Sequence, residues 1–192
     1  MYVKKVALSS AVLVLCASGH VLAGDGQQGN QAEAAKFNHN AVGLVRTVLD
    51  WASRYKNIDT AIGDGYLPAS GCVSGPNGGA MGIHYARFDL VGDGALDATT
   101  PELLVYEPNR WGKMRLVAVE YLVIKEAWEA KNGVGTPAIL DGQHMMLTGA
   151  PNQYGLPAHY MLHVWAFKNN KSGVFAPYNP AVTCKNFQPA TG

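Results

Sequence analysis

Glu120 is a lone carboxylate inside a very apolar stretch, LVAVEYLVI at residues 116–124. Four apolar residues flank it on each side, so neither face of a strand built from this stretch is expected to meet water. A buried carboxylate is costly unless it is paired, hydrogen-bonded or bound to a cation. Glu120 is therefore interpreted in two ways: as the partner of an arginine, a tyrosine or a backbone group, or as a metal ligand or general base with a raised pKa.

Two histidines lie in a second apolar stretch, HYMLHVWAF at residues 159–167. Alternation along a strand places His159, Met161, His163 and Trp165 on one face. Residues four apart in a strand are separated by about 13 Å, so both histidines reach one metal ion only if the strand bulges. This face is predicted to line a pocket.

A third histidine, His84, lies in the strand-like stretch MGIHYAR between the small residues Gly82 and Ala86. The preceding segment, CVSGPNGGA, is rich in glycine but contains no phosphate-binding loop or dinucleotide-binding pattern. It is interpreted as a loop with positive-φ turns that leads into the strand carrying His84. No serine in the chain stands in a G-x-S-x-G nucleophile elbow.

These residues together predict a metal site made of His84, Glu120 and His163, with His159 as a less direct member. Sets of two histidines and one carboxylate, or of three histidines, suit a divalent transition metal such as Zn, Fe or Cu. We expect the His84 and His163 ring nitrogens to lie within about 5 Å of each other. The alternative for each histidine is a core imidazole bonded to a backbone group or a tyrosine.

Aromatic residues beside these positions predict a small-molecule pocket, lined by Tyr85, Tyr121, Met161 and Trp165. A softer cluster follows in DGQHMML, where His144 precedes Met145 and Met146. Thioethers suit Cu(I), although methionine more often fills gaps in a core.

The cysteines favour a disulfide in an oxidising compartment. Cys72 and Cys184 are the two that remain outside the first 23 residues, and in an exported chain such a pair most simply forms a bridge. The alternative is that Cys72 is a nucleophile served by a histidine.

Residues 1–23 have the pattern of a secretory signal peptide: a basic start, an apolar run, and Val21-Leu22-Ala23 as a cleavage site. A lipoprotein cut at Cys16 is the alternative, but Leu15 stands where a small residue is usual. Cleavage near Ala23 would deliver the chain to the periplasm or the extracellular space. The mature chain contains no apolar run of about 18 residues, so no transmembrane segment is expected.

Charge excludes one class of partner. The whole chain has 15 Lys and Arg against 14 Asp and Glu, and cleavage would remove Lys4 and Lys5. No basic stripe remains that could neutralise phosphates, so we expect no nucleic-acid partner. A metal ion or a small molecule is the expected partner.

The order of elements predicts an α+β fold, with N-terminal helices packed on a curved, mainly antiparallel sheet. We expect a flexible leader at residues 24–30 and a single α+β domain at residues 31–192. Helical spacing of apolar residues continues to Ala52, and a shorter helix is predicted over residues 57–62. Strands are predicted at residues 81–87, 103–108, 114–124 and 158–167.

The segments CVSGP, MGIHY, VEY and HYMLHVWAFKNNKSGVFAPYNPAVTC resemble those of a group of uncharacterised exported bacterial proteins. The resemblance covers residues 55–184 and implies export, but it implies no activity, cofactor or site residue.

The sequence therefore predicts an exported metal-binding protein with a His/Glu site in a β-sheet pocket. Such a site could serve a metalloenzyme, hydrolytic or oxidative, with Glu120 as its candidate general base. The alternatives are a non-catalytic module that binds a small ligand and a structural envelope protein whose histidines are merely buried.

Overall fold

The structure is a computed structural model that describes residues 25–75 and 79–188, and the side chains from residue 39 onward. The predicted signal peptide, with Cys16, lies outside the described residues. Within them, the chain forms helices α1 (Asp25–Ala52), α2 (Ile58–Gly63), α3 (Phe88–Val91) and α4 (Lys125–Asn132). A short 3₁₀ helix, Ser53–Lys56, joins α1 to α2. None of the described helices combines the length and the apolar character that a membrane crossing requires.

Six strands form one curled antiparallel sheet, which resembles half of a barrel. In chain order the strands are β1 (Leu67–Ser74), β2 (Ala80–Ala86), β3 (Leu103–Pro108), β4 (Met114–Ile124), β7 (Met146–Thr148) and β8 (His159–Val164), and their order across the sheet is β1-β2-β3-β4-β8-β7. Two further strands, β5 (Ile139–Leu140) and β6 (Gln143–His144), pair with each other. The predicted α+β fold is confirmed.

Three elements differ from the sequence expectation. Helix α1 begins at Asp25, so the leader predicted at residues 24–30 is helical almost throughout; no proline interrupts that stretch. Strand β1 was not predicted, because LPASGCVS lacks apolar alternation and β1 is held as an edge strand by its pairing with β2. Between α4 and β8, where no strand is predicted, the chain contains the short strands β5, β6 and β7.

The two faces of the sheet are covered differently. Helix α1 packs Leu44, Val48 and Ala52 against one face, and this is the larger hydrophobic core. The strand residues on that face are mostly aromatic or branched: Leu104, Tyr106, Val119, Tyr121, Val123, Tyr160, Leu162 and Val164. The opposite face carries His84, Glu120 and His163, and Val91 of helix α3 and Leu156 pack against part of it.

A disulfide joins Cys72 of β1 to Cys184 near the end of the described chain, with the two Cα atoms 5.6 Å apart. This confirms the predicted bridge and excludes Cys72 as a free nucleophile. Hydrogen bonds to Glu107 also hold this C-terminal segment. Glu107 accepts them from Lys168 Nζ at 2.5 Å and from the Thr183 backbone N–H at 3.0 Å. The C-terminal segment is thereby fixed against β1 and β3.

Candidate metal centre

Three buried side chains meet on the sheet face opposite helix α1. His84 Nε2 lies 3.2 Å and His163 Nε2 lies 3.7 Å from the same atom, Glu120 Oε2. One donor atom from each of the three residues lies within 4.8 Å of the other two. The expected approach of the His84 and His163 ring nitrogens to within about 5 Å is thus confirmed.

Strand register explains why these side chains share a face. Glu120 is the direct cross-strand partner of His163 on β8, so their side chains point the same way. His84 pairs with Val105 on β3, which in turn pairs with Ala118, two residues before Glu120. His84 therefore reaches Glu120 across the whole width of β3. No two of the three residues are close in sequence, so the group exists only when β2, β3, β4 and β8 are paired.

All three side chains are removed from water, with 5, 3 and 1% of the surface of His84, Glu120 and His163 exposed. Burial by itself would raise the pKa of Glu120, but the charges of His163 and His84 and the hydrogen bond from His84 outweigh it, so that pKa is lowered. This corrects the expectation of a base with a raised pKa. Burial lowers the pKa of His163, which favours the neutral, metal-binding form of its ring.

A serine that sequence reasoning missed holds the His84 ring. Ser70 Oγ lies 2.9 Å from His84 Nδ1 and 2.8 Å from the Gly71 carbonyl oxygen. A hydroxyl has one hydrogen to donate, and the Gly71 carbonyl can only accept it. Ser70 Oγ must then accept from His84, so the hydrogen-bond network assigns a proton to Nδ1 and leaves Nε2 facing Glu120. An outer partner that fixes the tautomer in this way is typical of histidine ligands to metals.

Two of the three donor separations suit a tetrahedral ion. Two donors at about 2.1 Å from one zinc ion are separated by about 3.4 Å at the tetrahedral angle. The two nitrogen–oxygen distances, 3.2 and 3.7 Å, lie on either side of that value. His163 Nε2 is also buried without a hydrogen-bond partner among the described residues. The donor set and its unpartnered nitrogen therefore fit a divalent metal ion.

Trp165 contacts one member of this group, His163. Its indole ring stacks on the imidazole of His163, with the ring centres 5.9 Å apart and the planes inclined by 14°. Its Nε1–H donates to the Ala176 carbonyl oxygen at 2.6 Å, which fixes the indole. Trp165 does not line the cavity described next, so its predicted place in a pocket wall is replaced by a contact with His163.

A cavity of about 260 Å³ adjoins the metal-binding group, and His84 and Glu120 form part of its wall. Met161 lines it, as the sequence predicted. Tyr85 and Tyr121 do not: both lie on the helix-covered face, because each directly follows a residue of the metal-binding group and alternation turns it away. Ser70 and Tyr154 line the cavity and were not predicted, since each lies outside the recognisable apolar strands.

His159 also lines this cavity but is not one of the three grouped donors. Its Nδ1 lies 2.8 Å from the Pro157 carbonyl oxygen, and its ring lies 6.0 Å from that of Tyr154. The His144 cluster is dispersed: His144 and Met146 are exposed, whereas Met145 belongs to the core under helix α1. Packing in a core is the more frequent role of methionine.

Comparisons of the chain with protein-family models, with curated proteins and with solved structures found no match.

Proposed function

We propose that this chain is an exported metal-binding protein in which His84, Glu120 and His163 hold one divalent transition metal ion. The observation that carries the proposal is the convergence of three buried donors from three strands within 4.8 Å. Both histidine nitrogens face one carboxylate oxygen, and His163 Nε2 has no hydrogen-bond partner among the described residues.

Proton counting supports a cation over a simple hydrogen bond. With its proton on Nδ1, a neutral His84 presents the lone pair of Nε2 to the carboxylate of Glu120. A lone pair and a carboxylate 3.2 Å apart repel unless a positive charge lies between or beside them. A metal ion supplies that charge, and it also gives His163 Nε2 a partner.

The competing explanation is a structural ion pair in which His84 carries a second proton on Nε2. That arrangement satisfies Glu120, but it leaves His163 Nε2 buried at 3.7 Å, beyond hydrogen-bond range. The unsatisfied nitrogen costs roughly 1–3 kcal/mol. The metal-bound arrangement has no such cost.

Three protein donors leave a fourth tetrahedral position for water or a ligand, as in catalytic rather than structural zinc sites. That property supports a metalloenzyme, either hydrolytic or oxidative, because the group adjoins a cavity into which a small molecule fits. In this proposal Glu120 serves as a ligand, since both histidine nitrogens face its one oxygen atom.

Export is supported by the pattern of residues 1–23 and by the Cys72–Cys184 bridge, since disulfides persist mainly in oxidising compartments. Cell fractionation with N-terminal sequencing tests this part. We expect the exported protein to begin near Gly24. A cytoplasmic protein that retains Met1 would contradict it.

The metal proposal is tested with metal-free protein prepared by dialysis against a chelator. Titration with Zn²⁺ against a chromophoric competitor should show one equivalent bound, and parallel titrations compare Fe²⁺ and Cu²⁺. His84→Ala and His163→Ala should each abolish tight binding, while the matched control His144→Ala, at an exposed histidine, should leave it unchanged. Absence of zinc binding to the folded wild-type protein, or an equal loss in the control, would overturn the proposal.

A further inference from the structure

The cavity beside the metal-binding group has a mainly apolar wall. Ten of its lining residues have wholly apolar side chains: Ala69, Val73, Met81, Ala86, Phe88, Val91, Leu103, Leu122, Leu156 and Met161. An apolar protein cavity of about 150 Å³ binds benzene. A cavity of about 260 Å³ therefore has room for one aromatic ring with a short substituent.

Without the metal ion, the wall gives no partner to a charged ligand. None of the described residues that line the cavity is lysine or arginine, so an anion would meet no cationic side chain. The one lining carboxylate, Glu120, is engaged with His84 and His163. Burying an unpaired charge in such surroundings is costly, and the occupant is therefore neutral.

His159 requires that the occupant of the cavity carry a hydrogen-bond donor. Its Nδ1 faces the Pro157 carbonyl oxygen at 2.8 Å, which can only accept, so the proton is assigned to Nδ1. Nε2 is then an acceptor. It is buried and has no partner among the described residues, although His159 belongs to the cavity wall. A hydroxyl on the occupant is the group that satisfies this nitrogen at least cost.

We propose that the cavity binds a neutral single-ring phenol, with its ring among the apolar side chains and its O–H donated to His159 Nε2. The inference rests on the proposed function in one respect: the polar wall that the phenol meets is the metal-binding group of His84 and Glu120. The apolar part of the cavity and the His159 acceptor do not require a metal.

The test compares phenol with toluene, which has nearly the same shape but lacks the donor. Metal-free and zinc-loaded protein are titrated with each probe by isothermal calorimetry, and zinc binding is measured separately without a probe. We expect phenol to bind the metal-free protein about fivefold to tenfold more tightly than toluene, since one net hydrogen bond corresponds to that ratio. Benzoate should not bind the metal-free protein.

Two variants locate the site. Ala69→Trp places a large side chain in the cavity wall and should reduce phenol binding at least tenfold, whereas Ala130→Trp, on exposed helix α4 away from this cavity, should not change it. His159→Leu removes the acceptor and should bring the phenol-to-toluene ratio close to one. Ala69 is exposed on an edge strand, so this variant tests the site even if His159→Leu fails to fold.

The outcomes separate the two proposals. Phenol binding with the expected ratio but no zinc binding would support this inference and overturn the proposed metal site. Zinc binding without phenol binding, equal affinity for phenol and toluene, or tighter binding of benzoate to the metal-free protein would overturn this inference and leave the metal site standing.

Discussion

Replacing Glu120 by glutamine removes one charge and keeps the shape of the side chain. In the metal-bound protein the amide is a far poorer ligand than the carboxylate, and both histidines lose the anion that they face at 3.2 and 3.7 Å. Removal of an outer partner of a metal ligand already costs 10–100-fold in affinity. Glu120 is a direct ligand in this proposal, so Glu120→Gln should weaken zinc binding at least 100-fold, or about 2.7 kcal/mol.

Glu107 offers a matched control. It is likewise a buried carboxylate, and it lies on the adjacent strand β3, but it bonds Lys168 and Thr183 rather than the histidines. Glu107→Gln should lower the free energy of unfolding by about 1–3 kcal/mol and leave zinc affinity unchanged. The assay is zinc titration against a competing chelator at pH 7, with circular dichroism to establish that each variant is folded.

Two results would refute the reasoning. If Glu120→Gln binds zinc within threefold of the wild-type protein, the carboxylate is not a ligand. If neither protein binds zinc and Glu120→Gln is destabilised by about 3–5 kcal/mol, the group is a buried ion pair with a structural role.

Three further changes have defined outcomes. Replacing Cys72 and Cys184 together by serine removes a bridge between residues separated by 112 positions, and should cost about 4–5 kcal/mol in urea unfolding; a loss below 1 kcal/mol would contradict the chain-entropy account. Burial raises the pKa of Glu102 from 4.5 to about 8. The stability that this group contributes is therefore fully present below pH 4.5 and declines as the pH rises to 8, by at most about 5 kcal/mol. Unfolding at pH 5, 7 and 9 should show that Glu102→Gln flattens this decline, and an unchanged slope would exclude Glu102 as its source. Ser70→Ala should weaken zinc binding about tenfold by releasing the His84 ring, whereas an unchanged affinity would show that Ser70 does not orient it.

The continuous runs of apolar residues were sufficient to predict the central strands. LLVYEP and the stretch from Met114 to Ile124 form strands β3 and β4 with the predicted bounds, because burial on both faces selects continuous apolar runs there. Glu120 could be identified as a candidate site residue because it is a carboxylate with four apolar residues on each side. Its neighbours His84 and His163 could be connected to it because each also lay in an apolar strand.

Partners at the edge of the sheet could not be predicted in the same way. Strand β1 is largely exposed and contains proline and glycine, so its sequence carries no strand signal, and its position depends on pairing with β2. Ser70 was missed for that reason. The assignment of Tyr85 and Tyr121 to a pocket failed because aromatic character was given more weight than alternation, which turns both residues toward helix α1.

The position of His84 two strands away from Glu120 has a mechanical consequence. Adjacent strands are held about 4.8 Å apart by backbone hydrogen bonds, and those bonds connect only immediate neighbours. An ion held by His84, Glu120 and His163 would connect three strands. It would link β2 to β4, which are separated by β3, and it would also link β4 to its neighbour β8. Shearing any one of these strands past the next would then require breaking a coordination bond as well as the ladder, so the bound ion would resist sliding of the sheet as a whole.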